Sequence, residues 1–204
     1  MLNDQQLKAL TIVFRHGEEE ASSALAKWLG RPARVSVECI EQVPLAEATS
    51  VLGTCDAPIC ACAMAMQGRI TGQLIFVCDD ASGFALADLL IGNPVGTSKA
   101  WGELEKSAAL ETHNIIGCAY LNALAHFLRS KEGTTSELIP SPPSFARDFA
   151  DALLEFAVMS QAMASDVVFL TRTEFQIEGA PVNWNLLFVP DAESLATLTE
   201  MLPT

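Results

Sequence analysis

The chain has 204 residues, half of them apolar, enough for one sizeable core or for two small halves fused into one domain. Its formal charge of −13 repels nucleic acid, free nucleotides and anionic lipid. Its longest apolar runs, "ICACAMAM" and "LIFVC", are far shorter than the ~20 residues that span a bilayer.

The N-terminus "MLNDQQLKAL" has no basic segment before an apolar one, so a secretory signal is not expected and a cytoplasmic location is. "NDQQ" (3–6) is a capping-box pattern, predicting an amphipathic helix that runs to about Leu29 and stops at Gly30-Arg31-Pro32. A β-rich run, "ARVSVECIEQV", follows. Two more strands, "ICACAMAMQ" and "ITGQLIFV", are joined near Gly68-Arg69 as a hairpin. Asp79 and Asp80 are placed to cap a helix ending around Gly92, and the Gly/Pro-containing segment 92–99 is a linker. That segment lacks P-loop spacing, so no phosphate cradle is expected. A long helix over about 101–129 comes next, then a Gly/Thr/Ser/Pro-rich loop (133–144) and a helical pattern in "SFARDFADALLEFAVM". Strands at "DVVFLTRTEFQI" and "VNWNLLFV" and a final helix from Asp191 complete the chain.

These elements repeat. "SALAKWL" (23–29) aligns with "NALAHFL" (122–128), and "LIFVCDDASGFALADLL" (74–90) with "LLFVPDAESLATLTEML" (186–202). One long period means two copies of a single unit rather than a solenoid. The expected fold is α+β, a single domain (1–204) with halves 1–92 and 100–204. It is a pseudo-twofold arrangement of roughly six strands, with two long equivalent helices on one face.

Six cysteines (39, 55, 60, 62, 78, 118) fit a reduced interior. Cys55, Cys60 and Cys62 are spaced C-x4-C-x-C with no second paired half, unlike a zinc site. Cys60 and Cys62 alternate with Ala61 and Ala63, as core-facing residues of a strand do.

The chemistry concentrates in "SAALETHNIIG" (107–117). Glu111 and Asn114, three apart, share one helix face with Ser107 one turn upstream. Asparagine in mid-helix is unfavourable, because its side chain competes for backbone hydrogen bonds. In the repeat register Asn114 falls on Arg15, Glu111 on Ile12 and Ser107 on Lys8, so the polar pair belongs to the second copy alone. A carboxamide does not titrate; it positions water rather than acting as a base. A solvated helix face is the plain alternative.

"SAALETHN" also fits the S/D-x3-E-x2-N signature of the CheC/CheX/FliY chemotaxis phosphatases. The likeness extends to "ALAKWLGRPARVSVECIEQVPL", "WGELEKSAALETHNIIGCAYLNALAHFL" and "TEFQIEGAPVNWNLLFVPDAESLATLTEML", nearly the whole chain in the order of a free-standing CheC. The resemblance implies hydrolysis of the aspartyl-phosphate of a CheY-like response regulator. Asn114 would orient the water, Glu111 would engage a lysine of the regulator, and Ser107 would be a neighbour on that face. It implies no cofactor of the chain's own, with Mg²⁺ in the regulator's acidic pocket, and CheD as a possible partner. The alternative it leaves is a non-catalytic module that docks a regulator or CheD. Two departures stand out. The first site is lost at Ile12 and Arg15, and the family's proline, twenty-three positions after the asparagine, is Glu137 here with Pro140 three residues on. His113, between the pair, points about 100° away from Asn114.

Overall fold

A computed structural model describes residues 1–44, 47, 57–132, 137–150, 152–153, 167–178, 182 and 184–203. Helix α1 (Asp4–Arg15) starts at the expected capping box, in which Asn3 and Gln6 each accept the other's backbone amide, at 2.9 and 3.0 Å. The predicted single N-terminal helix is two: the chain breaks at His16-Gly17 and resumes as α2 (Glu18–Leu29). The reason is close approach. A Cβ on Gly17 would meet the Tyr120 ring at 3.0 Å and the Ala119 carbonyl oxygen at 3.1 Å, so the backbone bends where it touches the long helix opposite. Helix α2 ends on Gly30 in the left-handed conformation, φ 64°, as its sequence signalled.

Strand β1 (Ala33–Pro44) is followed by the hairpin β2 (Ile59–Gly68) and β3 (Gly72–Asp79). Asp79 caps α3 (Asp80–Ile91), accepting the Ser82 amide, and Asp80 turns elsewhere. Helix α4 (Glu103–Glu132) is the long helix. The second half continues with β4 (Leu138–Pro140), β5 (Ser144–Asp148), β6 (Val167–Ile177) and β7 (Trp184–Pro190). Helix α5 (Ala192–Met201) closes it, capped by Asp191 on the Ser194 amide.

The seven strands form one sheet in the order β1-β6-β7-β3-β2-β4, with β5 also on β2; the pairings are antiparallel. Two expectations change. The expected six or so strands, five of them named above, become seven, because Leu138–Pro140 in the expected loop pairs with β2 and "SFARD" is a strand rather than the start of a helix. Pro142 and Pro143 hold the chain extended as it enters, and the outer edge of β2 offers unpaired backbone from Ile59 to Ala63. Alternation then sends Phe145 against the Trp101 ring, centroids 4.8 Å apart, while Arg147 pairs with Asp80 at 2.6 Å. The remainder of that predicted helix lies largely outside the described residues, as does Cys55. The sheet is buried on both faces: the helices and Cys60, Cys62, Phe76 and Phe188 form the larger core. Ala61, Ile75, Leu187 and Val189 form a second core with Ala150 and Leu153 on the other side. The two long helices are therefore not equal in shape, one being bent into two and the other continuous over 30 residues.

Candidate functional site

Helix α4 lies against α2, α3 and the sheet, and its sequence sorts cleanly by face. Ala109, His113, Ile116, Tyr120, Leu124 and Leu128 are buried, and Gly117 lets the helix settle on Met64, whose sulfur would be 3.3 Å from an added Cβ. On the opposite side Leu104, Ser107 and Glu111 are exposed, and the stripe continues through half-buried Asn114 and Cys118 to exposed Asn122 and His126. Steps of three and four keep these residues in register with the helical turn. The structure thus brings Ser107, Glu111 and Asn114 onto one accessible ridge.

His113 belongs to the core. It is fully buried, edge-on to Phe76 at 4.8 Å, and burial pulls its pKa down to about 3, so it is neutral. The Leu74 backbone lies close enough to favour the ring's charge slightly, without a hydrogen bond of normal geometry to either nitrogen. Among the described residues, no histidine–carboxylate pair stands with Ser107 on the ridge to make it a nucleophile, His113 being buried on the other face.

Sequence reasoning missed the groups that flank the pair. The Cys118 thiol sits 3.8 Å from Asn114 Oδ1, donating toward it. Burial, then the charges of Glu111 on α4 and Glu20 on α2, push that thiol's pKa up. Asn122 Nδ2 donates to Glu20 Oε1 at 3.0 Å, tying that carboxylate to the site helix. Helical spacing from Asn114 signals Cys118; only the packing of α2 on α4 brings in Glu20.

The corresponding positions of α1 do different work. Arg15 donates from Nε to the Val37 carbonyl at 2.9 Å and from Nη2 to the Glu38 carbonyl at 2.5 Å, fastening α1 beside the irregularity in β1. Ile12 is 53 % exposed on the wall of a groove of about 660 Å³ shared with Ala9, Val13 and Phe127. Neither can position water or pair with a cation as Asn114 and Glu111 can. Of the cysteines, Cys60, Cys62 and Cys78 are core residues, with the Cys62 thiol pushed up to about 12 by burial. Among the described residues no group of three or more His, Cys, Asp or Glu side chains could hold a metal ion, and no helix is long and apolar enough to cross a membrane. Pro140 closes β4 opposite Met66, and Glu137 is exposed just before it.

No protein-family model matches the chain. Over 201 residues it is 25% identical to the CheY-P phosphatase CheC of Bacillus subtilis (strain 168), a match spanning 97% of this chain and 93% of that one. FliY of Thermotoga maritima superimposes with a TM-score of 0.78 at 19% identity, covering 98% of this chain and 97% of that one. These likenesses run to members of the CheC/CheX/FliY family. The middle domain of FliM from H. pylori shares the fold, with a TM-score of 0.66 at 11% identity over 98% of this chain and all of that one. Sequence likeness thus runs to a phosphatase of this family, and likeness of fold runs wider.

Proposed function

We propose that this protein hydrolyses the aspartyl-phosphate of a CheY-like response regulator at one site on α4. The observation that carries the reading is an exposed carboxylate and a half-buried carboxamide, Glu111 and Asn114, on the accessible ridge of an otherwise core-forming helix. The 25% identity with a CheY-P phosphatase along nearly the whole chain supports it. In this mechanism Glu111 pairs with a lysine of the docked regulator and fixes its orientation. Asn114 enters the regulator's pocket and holds a water in line with the phosphorus. Mg²⁺ would be held in the regulator's acidic pocket and would supply charge neutralisation for the phosphoryl group there, which suits a chain of charge −13. Positioning alone supplies several kcal/mol when the phosphoryl group is already activated.

One site rather than two follows from the repeat. The strand order supports two copies, 1–92 and 100–204. β1, β2 and β3 occupy, from one edge, the places that β4/β5, β6 and β7 occupy from the other. Asp79 on Ser82 and Asp191 on Ser194 cap their helices alike. In that register the first copy's site residues are Ile12 and Arg15.

Decay of the phosphorylated regulator with wild-type protein and with Asn114→Ala tests the proposal. The wild type accelerates decay, and the variant loses about a hundredfold of that acceleration while still binding. Equal rates would remove Asn114 from the mechanism. No acceleration by the wild type on its cognate regulator would favour the second reading, a docking module without turnover, which the shared fold with FliM supports.

A further inference from the structure

The amide of Asn114 can serve a nucleophilic water in only one orientation. The water must keep a lone pair for phosphorus, so it needs a partner that accepts its proton, and in a carboxamide that partner is the oxygen. An Asn side chain rotates broadly about its last bond, so an unrestrained amide would offer nitrogen as readily as oxygen. Here it is restrained. Cys118, one turn along the same ridge, has its sulfur 3.8 Å from Oδ1, within reach of a weak S–H···O bond. Oδ1 has two lone pairs; the thiol takes one and leaves the other for water.

We propose that Cys118 is a positioning residue for Asn114, its thiol donating to Oδ1 and setting the carboxamide oxygen where the hydrolytic water needs it. This rests on the phosphatase reading above. The device works only while the sulfur carries its proton, because a thiolate would attract Nδ2 and turn the amide over. Half-burial and the charges of two carboxylates, Glu111 from its own helix and Glu20 from α2, keep it protonated across the neutral range. Asn122, by holding Glu20 at 3.0 Å, keeps the second of these carboxylates in place. The acidic groups on this ridge thus have a second use besides meeting a cationic partner.

The experiment compares steady-state dephosphorylation of the cognate regulator by wild-type protein, Cys118→Ala and Cys118→Ser, from pH 7 to 10. Melting temperatures confirm that the variants fold. Cys118→Ala lowers kcat about three- to tenfold, the change expected from one weak hydrogen bond, with KM unchanged. Cys118→Ser, which keeps a donor, retains most of the wild-type rate. The ratio of wild-type to alanine-variant kcat is level across the neutral range, where the thiol holds its proton, and falls toward one only on the alkaline side as the raised thiol ionises, while effects on the regulator cancel. An alanine variant with wild-type kcat, a serine variant as slow as alanine, or a ratio that drifts across the neutral range would each overturn the role of Cys118. An inactive wild type would instead overturn the phosphatase reading, and this inference with it.

Discussion

Replacing Asp88 should loosen the segment that leads into the site helix without touching the site. Asp88 is fully buried near the end of α3 and accepts four hydrogen bonds from the linker. The amides of Gly96 and Thr97 donate at 2.8 Å, that of Ser98 at 2.9 Å, and the Ser98 hydroxyl at 2.7 Å. Gly96 and Thr97 are exposed, so water can replace the carboxylate there; Ser98 is buried, so its two donors cannot be satisfied so easily. Counting those two charge-assisted bonds at about 1.5 kcal/mol each, Asp88→Asn or Asp88→Ala loses about 3 kcal/mol. For a chain of this length the melting temperature then falls by about 6–12 °C. Asparagine is no rescue, since its NH₂ would face donors. Burial opposes ionisation of Asp88, but the Ser98 hydroxyl and the three linker amides outweigh it and hold the carboxyl below the usual range. A depressed folded-state pKa means the stabilisation is complete above about pH 4 and is lost as pH falls through the folded value. Thermal melts of wild type and variants between pH 2.5 and 7 therefore converge on the acid side. Ser98 Oγ also lies 3.1 Å from Glu105 Oε1, so any fraying reaches the first turn of α4 and stops short of Glu111. An Asp88→Asn protein that melts with the wild type at pH 7 would refute the reasoning.

Arg15→Ala removes two bonds from the end of α1 to β1 and should cost about 1–2 kcal/mol in urea unfolding. It should leave dephosphorylation unchanged; a large loss of activity would mean that the first half carries a working site. His113→Phe should keep full phosphatase activity and match or exceed wild-type stability, because the position is fully buried and holds a neutral ring against Phe76. A catalytic loss at constant binding would show that the imidazole takes part after all.

The break between α1 and α2 shows where pattern reading stops. The amphipathic period runs on past His16, and the local signals, Gly17 followed by three glutamates, are outweighed by it in a pattern reading; Gly17 is required by Tyr120 and Ala119, more than a hundred residues away. "SFARD" likewise reads as helix by itself and becomes strand because β2 needs a partner and two prolines deliver the chain extended. Hairpin β2–β3, the Asp79 and Asp191 caps and the Gly30 and Gly92 stops were legible because each is a local device, settled within a few residues.

By itself the sequence determined which residues share the ridge of α4, since 3.6 residues per turn places Ser107, Glu111 and Asn114 together whatever surrounds them. It also determined that α1 lacks the pair. Only tertiary structure decided that this ridge faces outward and that His113, one residue from Asn114, is sealed against Phe76. It also decided that a carboxylate from α2, held by Asn122, acts by its charge on Cys118. Helical spacing is a property of the chain, whereas burial and the meeting of α2 with α4 depend on how the elements cover the sheet.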